Sequence, residues 1–272
     1  MLTVSIFGKL IVFFYYYSYM IAFMPQRKVC TGLVDFDDVP LAESADNIQW
    51  LSEQPCFSYV VTPNVDHLSR LCSHNTSQIL KPIYDNAALT LCDSRILSKL
   101  LALINKPVKN VVPGSDLTQF LFDQKLKSTD TILVVGCDNK EIHELKNHYS
   151  SLTIQHINPS MGFIDKPDEV NELVKKINAA AADYLFLALG SPRQEVLAYR
   201  LLQSGMKKGV ALCIGASINF IVGVESRAPQ WMQYLHLEWF YRMLQDPGRL
   251  FWRYSSNGLS IPKVLYELRK TR

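Results

Sequence analysis

The chain has 272 residues, of which 48% are hydrophobic and 19% are charged, and its formal net charge is +3. This length is enough for one large α/β domain or for two small lobes that share a cleft. The small net charge gives no support to nucleic-acid binding, and the ordinary composition excludes fibrous and low-complexity proteins.

Six cysteines are scattered along the chain without a CxxC pair and without the histidine spacing of a zinc site. A disulfide framework is not expected in a chain of this size. We therefore predict reduced, buried cysteines in a cytosolic protein.

A membrane-like segment occupies residues 4–24, within a hydrophobic N-terminal region that we bound at residues 1–28. Its length is close to the roughly 20 apolar residues that span a bilayer, but Lys9 interrupts it. Three interpretations stay open: an anchor helix, an uncleaved signal-like segment, or sequence upstream of a true start at Met24. The absence of a small-residue cleavage site disfavours export. If the segment inserts, the basic pair Arg27 and Lys28 favours a cytoplasmic location for the rest of the chain.

From residue 29 onward, strand-like and helix-like stretches alternate. Continuous apolar runs such as ILVV, YLFLAL and VALCI are typical of parallel strands covered on both faces. The alternation predicts βαβ units and an α/β fold with a doubly wound, Rossmann-like parallel sheet. We assign residues 29–226 to this core, as two series that meet near residue 130 and share one sheet. Residues 227–272 form a predicted helical, basic and aromatic C-terminal appendage.

Asp93 follows the strand-like run ALTLC, so its carboxylate is expected at the carboxyl edge of the sheet, where such folds bind ligands. A carboxylate there could act as a general base that removes a proton from an acceptor hydroxyl. It could equally be an N-cap, since either Asp93 or Ser94 can cap the helix RILSKLLALI.

The turn from Gly190 to Glu195 joins a predicted strand to a predicted helix. Gly190 would let the backbone approach a diphosphate, Pro192 suits the first helical position, and the free N–H groups of the helix start favour an anion. Arg193 would add positive charge and Gln194 could hydrogen-bond sugar or phosphate. Alternatively, Ser191 and Gln194 simply form a capping box. No GxGxxG or GxxxxGK[ST] motif is present, which disfavours an oxidoreductase or a P-loop protein.

Two further groups of residues are candidates for a binding site. The acidic run Asp35-Phe36-Asp37-Asp38 resembles a metal-binding DxD pattern, but a solvated turn or helix start is the better interpretation, and the six histidines show no ligand cluster. Arg242, Arg249 and Arg253 are spaced by seven and then four residues, so an unbroken helix would align them, although Pro247 and Gly248 should break it. Guanidinium groups bind phosphate in a bidentate manner, and the flanking aromatic residues suit a membrane interface.

Taken together, several motifs in their order along the chain resemble the WecG/TagA/CpsF family of glycosyltransferases. The resemblance covers roughly residues 29–255 and rests on these stretches: TPNVDHL, ALTLCDSRIL, VPGSDL, LALGSPRQE, CIGASINFIVGVESRAPQWMQ and LHLEWFYRMLQDPGRLFWRY.

The resemblance implies an inverting transferase that moves N-acetylmannosamine, its uronic acid or glucose from a UDP-sugar to a polyprenyl-diphosphate-linked sugar. It implies no metal and no cofactor, and it implies work at the cytoplasmic face of the bacterial inner membrane, with the chain either peripheral or anchored by residues 4–24. Carried over by motif, Asp93 is the implied base, and Thr62 and Asn64 lie on the acceptor side. Gln194 and Glu195 lie at the nucleotide-sugar site. Arg242, Arg249 and Arg253 belong to a closing appendage that meets the membrane and helps to hold the diphosphate.

One departure from the family pattern concerns the turn after the strand that precedes Asp93. Family members commonly read Asp-Gly where this chain reads Asp93-Ser94, and a serine would alter the turn if a positive φ were needed there. Two other classes of function remain open: a non-catalytic nucleotide-sugar binding subunit, and a membrane-tethered α/β scaffold that binds neither substrate.

Overall fold

The computed structural model describes residues 27–225, 228–229, 231–232, 238–245 and 247–270. The hydrophobic segment predicted over residues 4–24 lies outside these ranges. Among the helices within them, none is long and apolar enough to cross a membrane.

The core is a six-stranded, all-parallel sheet with the strand order β4-β3-β8-β7-β5-β6. The predicted α/β fold with a doubly wound parallel sheet is therefore confirmed, and both predicted series contribute to the same sheet. Its strands are β3 (Ser58–Val61), β4 (Leu89–Thr90), β5 (Thr131–Gly136), β6 (Thr153–Ile157), β7 (Tyr184–Ala188) and β8 (Val210–Cys213). A separate antiparallel pair precedes them, formed by β1 (Lys28–Val29) and β2 (Phe36–Asp37).

Helices flank the sheet between successive strands. Those of the first series are α1 (Leu41–Ser52), α2 (Val65–Leu71), α3 (His74–Asp85), α4 (Arg95–Leu103) and α5 (Gly114–Gln124). Those of the second series are α6 (Asn139–His148), α7 (Pro167–Ala180), α8 (Arg193–Gln203) and α9 (Ser217–Ile221), and a short 3₁₀ helix spans Phe163–Asp165. In the described C-terminal ranges, the chain continues with the helices α10 (Glu238–Gln245) and α11 (Pro247–Lys270).

The continuous apolar runs fill both faces of the sheet. In β7, Tyr184 and Phe186 belong to one buried cluster, whereas Leu185 and Leu187 belong to the cluster on the opposite face. Successive side chains of a strand point to opposite faces, so a strand covered by helices on both sides needs apolar residues at every position. This requirement explains why the central strands lack the apolar–polar alternation of a half-exposed sheet.

The acidic run at residues 35–38 is not the solvated turn or helix start that we predicted. Phe36 and Asp37 form β2, and both Asp37 and Asp38 are buried. Asp37 Oδ2 accepts a hydrogen bond from Thr90 N, and Asp38 Oδ1 accepts from the backbone N–H groups of Lys109 and Asn110. These carboxylates connect the β1–β2 pair to the sheet and to the loop before α5, because each satisfies backbone donors that would otherwise be buried without a partner.

The expectation of buried cysteines is also corrected. All six are free thiols, but only Cys92 and Cys213 are buried, and Cys30 is exposed. Cys213 ends the internal strand β8 and Cys92 follows the edge strand β4, and at both positions cysteine packs as a small hydrophobic residue.

The strand order places the junction of the two series at the β3–β8 pair, since β3 and β4 come from the first series and β5 to β8 from the second. Strands β3 and β8 are parallel, with Ser58 paired to Val210 and Val60 paired to Leu212. The loops that follow β3, β4, β7 and β8 therefore leave from the same edge of the sheet, which is where ligands bind in folds of this class.

Candidate active site

Gly114, the first residue of α5, lies where polar side chains from the two series meet. A Cβ atom at this position would lie 3.1 Å from Thr62 Oγ1, 3.6 Å from Ser217 Oγ and 3.7 Å from Asp93 Oδ1. Glycine therefore lets three polar side chains from the loops after β3, β4 and β8 converge on one point. This convergence forms the centre of the candidate site.

The Asp93 carboxylate is half-buried at this point and is held by two donors. Its Oδ1 accepts a hydrogen bond of 2.7 Å from Gly114 N, and its Oδ2 accepts one of 3.3 Å from Asn64 Nδ2. Each carboxylate oxygen has a second lone pair, so the group retains capacity to accept a further proton or hydrogen bond. The carboxylate is thus oriented by the protein without being enclosed by it.

Ser94, not Asp93, is the N-cap of α4. Its side chain accepts a hydrogen bond from Leu97 N, whereas the carboxylate of Asp93 makes no cap contact. Ser94 is therefore the helix cap, and Asp93 stays the candidate for the base. Ser94 has φ −124° and ψ 123°, which is extended backbone that any residue adopts, so the serine that replaces the family's glycine causes no strain in this turn.

Asn64 connects the start of α2 to Asp93. Its Oδ1 accepts from Asp66 N at 3.0 Å, which caps α2, and its Nδ2 is the donor to Asp93. The other predicted acceptor-side residue, Thr62, is 9% exposed and its hydroxyl donates to Cys213 O at 3.4 Å, joining β3 to β8. Thr62 and Asn64 therefore both lie beside Asp93, as the sequence pattern placed them.

The turn before α8 differs in detail from its prediction. The helix begins at Arg193, so Pro192 precedes the first helical position, and no side chain caps the helix, which makes the predicted Ser191–Gln194 capping box wrong. Gly190 has φ +69°, a conformation that favours glycine. The N–H group of Gln194 donates to Gly190 O at 3.3 Å, so it is not one of the free donors that we expected at this helix start.

The side chains of Gln194 and Glu195 face the interior rather than the solvent. Gln194 is 3% exposed, its Nε2 donates to Glu195 Oε1 at 2.9 Å, and its Oε1 accepts from Gly215 N at 2.9 Å. Glu195 is fully buried, and its second oxygen, Oε2, has no hydrogen-bond partner within the described part of the chain. Gln194 thereby connects the turn before α8 to the loop that precedes Ser217, at the edge of the site. Arg193 extends its guanidinium group toward Gly190, 3.4 Å from where a Cβ would stand.

Two residues of α2, His67 and Arg70, belong to the site although no sequence pattern singled them out. Arg70 forms an ion pair with Asp66 one turn earlier, and its Nη1 donates to Ser191 Oγ at 2.8 Å. Helix α2 therefore joins the Asp93 side of the site to the turn before α8. The available signal was the i, i+4 spacing of Asp66 and Arg70, which is too common on helices to indicate a site.

His67 and Tyr84 carry the perturbed pKa values of this region. Burial lowers the pKa of His67, partly opposed by the negative charge of Glu195, and burial together with the same carboxylate raises the pKa of Tyr84. Their rings are neighbours, with centroids 6.4 Å apart. Both groups are therefore neutral at physiological pH, and the charge of the buried Glu195 carboxylate acts on each of them.

Three predicted site residues, Arg242, Arg249 and Arg253, are described only by their backbone. Arg242 belongs to α10, while Arg249 and Arg253 lie in α11, and their side chains fall outside the described residues. The break expected near Pro247 coincides with the start of α11. No group of three or more histidine, cysteine or acidic side chains that could bind a metal ion occurs in the described residues.

Comparison with known proteins agrees with this architecture. The model of the glycosyl transferase WecG/TagA/CpsF family matches residues 29–272. The chain belongs to this family. It is 24% identical over 247 residues to the N-acetylglucosaminyldiphosphoundecaprenol N-acetyl-beta-D-mannosaminyltransferases of Staphylococcus aureus strains MW2 and NCTC 8325 / PS 47, a match that covers 88% of this chain and 91% of each relative. As a WecG/TagA/CpsF protein, the chain is a glycosyltransferase, and the edge of its sheet where Asp93 lies is the candidate location of sugar transfer.

Proposed function

We propose that this glycosyltransferase is an inverting enzyme that moves a hexose from a UDP-sugar to a polyprenyl-diphosphate-linked sugar in cell-surface polysaccharide synthesis. The observation that carries the proposal is the Asp93 carboxylate, which is oriented by Gly114 N and Asn64 Nδ2 yet retains free lone pairs at the ligand-binding edge of the sheet. The donated sugar is N-acetylmannosamine, its uronic acid or glucose.

In this reaction Asp93 is the general base. It takes the proton of the acceptor hydroxyl while that oxygen attacks the anomeric carbon, and the bond from this carbon to the diphosphate breaks on the opposite face, so the configuration inverts and UDP leaves. The two hydrogen bonds to Asp93 fix the direction of its remaining lone pairs, which favours a proton transfer of defined geometry.

The donor diphosphate is assigned to the turn from Gly190 to Glu195. A positive φ at Gly190 and the guanidinium group of Arg193 beside it give this turn a close backbone approach and a positive charge. The N-terminus of α8 adds the partial positive charge of a helix dipole. Arg242, Arg249 and Arg253 would supply further charge on the C-terminal helices, so that neither a metal nor another cofactor is required to neutralise the leaving group.

The names of the relatives support the acceptor class. The Staphylococcus aureus proteins are named as transferring N-acetylmannosamine to N-acetylglucosaminyldiphosphoundecaprenol. An acceptor of this type is anchored in a bilayer, so we place the enzyme at the cytoplasmic face of the inner membrane, with the membrane surface as a partner. The same proposal divides the chain into an N-terminal segment (1–28), an α/β core (29–226) whose two series meet near residue 130, and a C-terminal appendage (227–272).

The experiment is a panel of UDP-sugars tested with a short-chain lipid-diphosphate disaccharide or monosaccharide acceptor. We expect one donor to yield product with inverted anomeric configuration, and UDP alone to raise the thermal midpoint of the protein. A protein that binds UDP without transfer to any acceptor would instead be a non-catalytic nucleotide-sugar binding subunit, and a protein that binds neither would be a scaffold.

A further inference from the structure

We propose that His67 is a positioning residue, which holds Asn64 in the conformation that presents its side-chain amide to Asp93. This inference rests on the proposed function for its catalytic consequence. Its structural part, the orientation of Asn64 by the imidazole ring, is independent of the reaction.

Hydrogen bonds connect His67 to Asp93 through Asn64. His67 Nδ1 accepts a hydrogen bond of 3.4 Å from the backbone N–H of Asn64, while the Asn64 side chain caps Asp66 N, so that a capping box is closed in both directions. With Oδ1 of Asn64 engaged as an acceptor, Nδ2 is the end of the amide that faces Asp93 Oδ2. The imidazole ring thus fixes the backbone of the residue whose side chain orients the base.

The ring must be neutral for this role, because Nδ1 accepts a hydrogen bond only when it carries no proton. His67 is 6% exposed, and burial lowers its pKa. The charged groups that act on it are Glu195 of α8, Arg70 and Asp66 of its own helix, and Asp93 after β4. Protonation of the ring would set a second donor against the Asn64 N–H and open the capping box.

Neighbouring elements hold the ring in place. Tyr84 of α3 lies beside it, with the two ring planes inclined by 41°. Among the neighbouring charges, that of Glu195 has the largest effect on the pKa of the ring, and its Oε2 has no hydrogen-bond partner among the described residues. Groups from α2, α3 and α8 therefore all act on His67.

The tautomer provides a test that needs neither a variant nor activity. Nitrogen NMR of the wild-type imidazole should show a neutral ring protonated at Nε2, with Nδ1 as the acceptor. A ring protonated at Nδ1, or at both nitrogens, at neutral pH would overturn the proposal.

Paired substitutions then separate positioning from mere packing. Glutamine is the usual partner in a capping box, so His67→Gln restores the acceptor for Asn64 N, whereas His67→Leu removes it and keeps an apolar side chain. We expect His67→Gln to keep kcat within about threefold of wild type, and His67→Leu to lower kcat by about tenfold to a hundredfold with an unchanged KM for the UDP-sugar. The exposed His143 supplies the matched control, and His143→Gln and His143→Leu should both behave as wild type.

Hydrogen exchange makes the outcome independent of the assay. The backbone and side-chain amides of Asn64 should exchange slowly in the wild type and in His67→Gln, and markedly faster in His67→Leu. Equal exchange rates of the Asn64 amides in the wild type, His67→Gln and His67→Leu would overturn the positioning role, whatever the transfer activity of the three proteins. Absence of transfer in the wild type with every donor would refute the proposed function, while the exchange data would still decide the role of His67.

Discussion

At the scale of single residues, Asp93 and Ser94 divide two tasks that either could perform. Ser94 satisfies a backbone donor of α4, which leaves the Asp93 carboxylate to Gly114 and Asn64. If Asp93 were the cap of α4 instead, one more of its lone pairs would be committed to the backbone, at Leu97 N. The serine in this turn therefore contributes to the availability of the carboxylate, although it does not touch the predicted substrate.

This division predicts an ordered effect of substitutions at Ser94. Ser94→Ala removes the cap and should lower the free energy of unfolding by about 1 kcal/mol, whereas Ser94→Gly should cost only a few tenths. Urea denaturation of both variants gives the comparison. An unfolding free energy of Ser94→Ala equal to that of the wild type would show that the cap hydrogen bond does not stabilise this turn.

At the scale of elements, the sequence predicted what depends on local pattern. The buried strands β5, β7 and β8 follow from their continuous apolar runs, and α7 follows from its proline and acidic residues in the first turn. Strand β4 has only two residues, Leu89 and Thr90, although its apolar run is longer and Leu91 N still donates to Val61 O at 2.9 Å.

What the sequence could not predict depends on contacts between distant parts of the chain. Asp37 and Asp38 look like solvent-exposed acids until the backbone donors of Thr90, Lys109 and Asn110 are placed around them. The partners of Gln194 within the protein, Glu195 and Gly215, likewise cannot be predicted from the sequence. A single chain shows which residues are polar, but only the tertiary arrangement shows where each polar group finds its partner.

The candidate site was predictable to a similar extent. Asp93, Thr62 and Asn64 could be placed together because strands of a parallel sheet end at one edge. The contribution of His67 could not, since a histidine at the third position of a helix is more often a simple capping or surface residue. Its role follows from the hydrogen bond to Asn64 and from the burial contributed by α3 and α8.

At the scale of the whole molecule, the final turns of α11 are part of the main core. Val264 and Leu268 are fully buried in the same cluster as Leu68 and Leu71 of α2, and Lys106 Nζ donates to Leu268 O at 3.2 Å. The helix that carries Arg249 and Arg253 is therefore fixed at its far end to the helix that carries His67. The proposed closing movement of the C-terminal helices must accordingly keep this end attached.

A matched pair of leucines in α11 tests this attachment. Leu268→Ala should lower the free energy of unfolding by about 2–5 kcal/mol, as expected for a buried leucine, because it leaves a cavity against α2. Leu259, which is 85% exposed in the same helix, serves as the control, and Leu259→Ala should change stability by at most about 0.5 kcal/mol. Equal effects of the two substitutions in thermal or denaturant unfolding would contradict the docking of the C-terminal end.

The most direct measurement of the central claim compares sugar transfer and UDP binding in Asp93→Asn. The amide retains the shape of the carboxylate but cannot serve as a base, so kcat should fall by about 10²- to 10⁴-fold while the affinity for UDP stays within about threefold. Asp168→Asn, which changes an exposed carboxylate in the first turn of α7, should leave both quantities as in the wild type. Turnover by Asp93→Asn close to that of the wild type would contradict the assignment of Asp93 as the base.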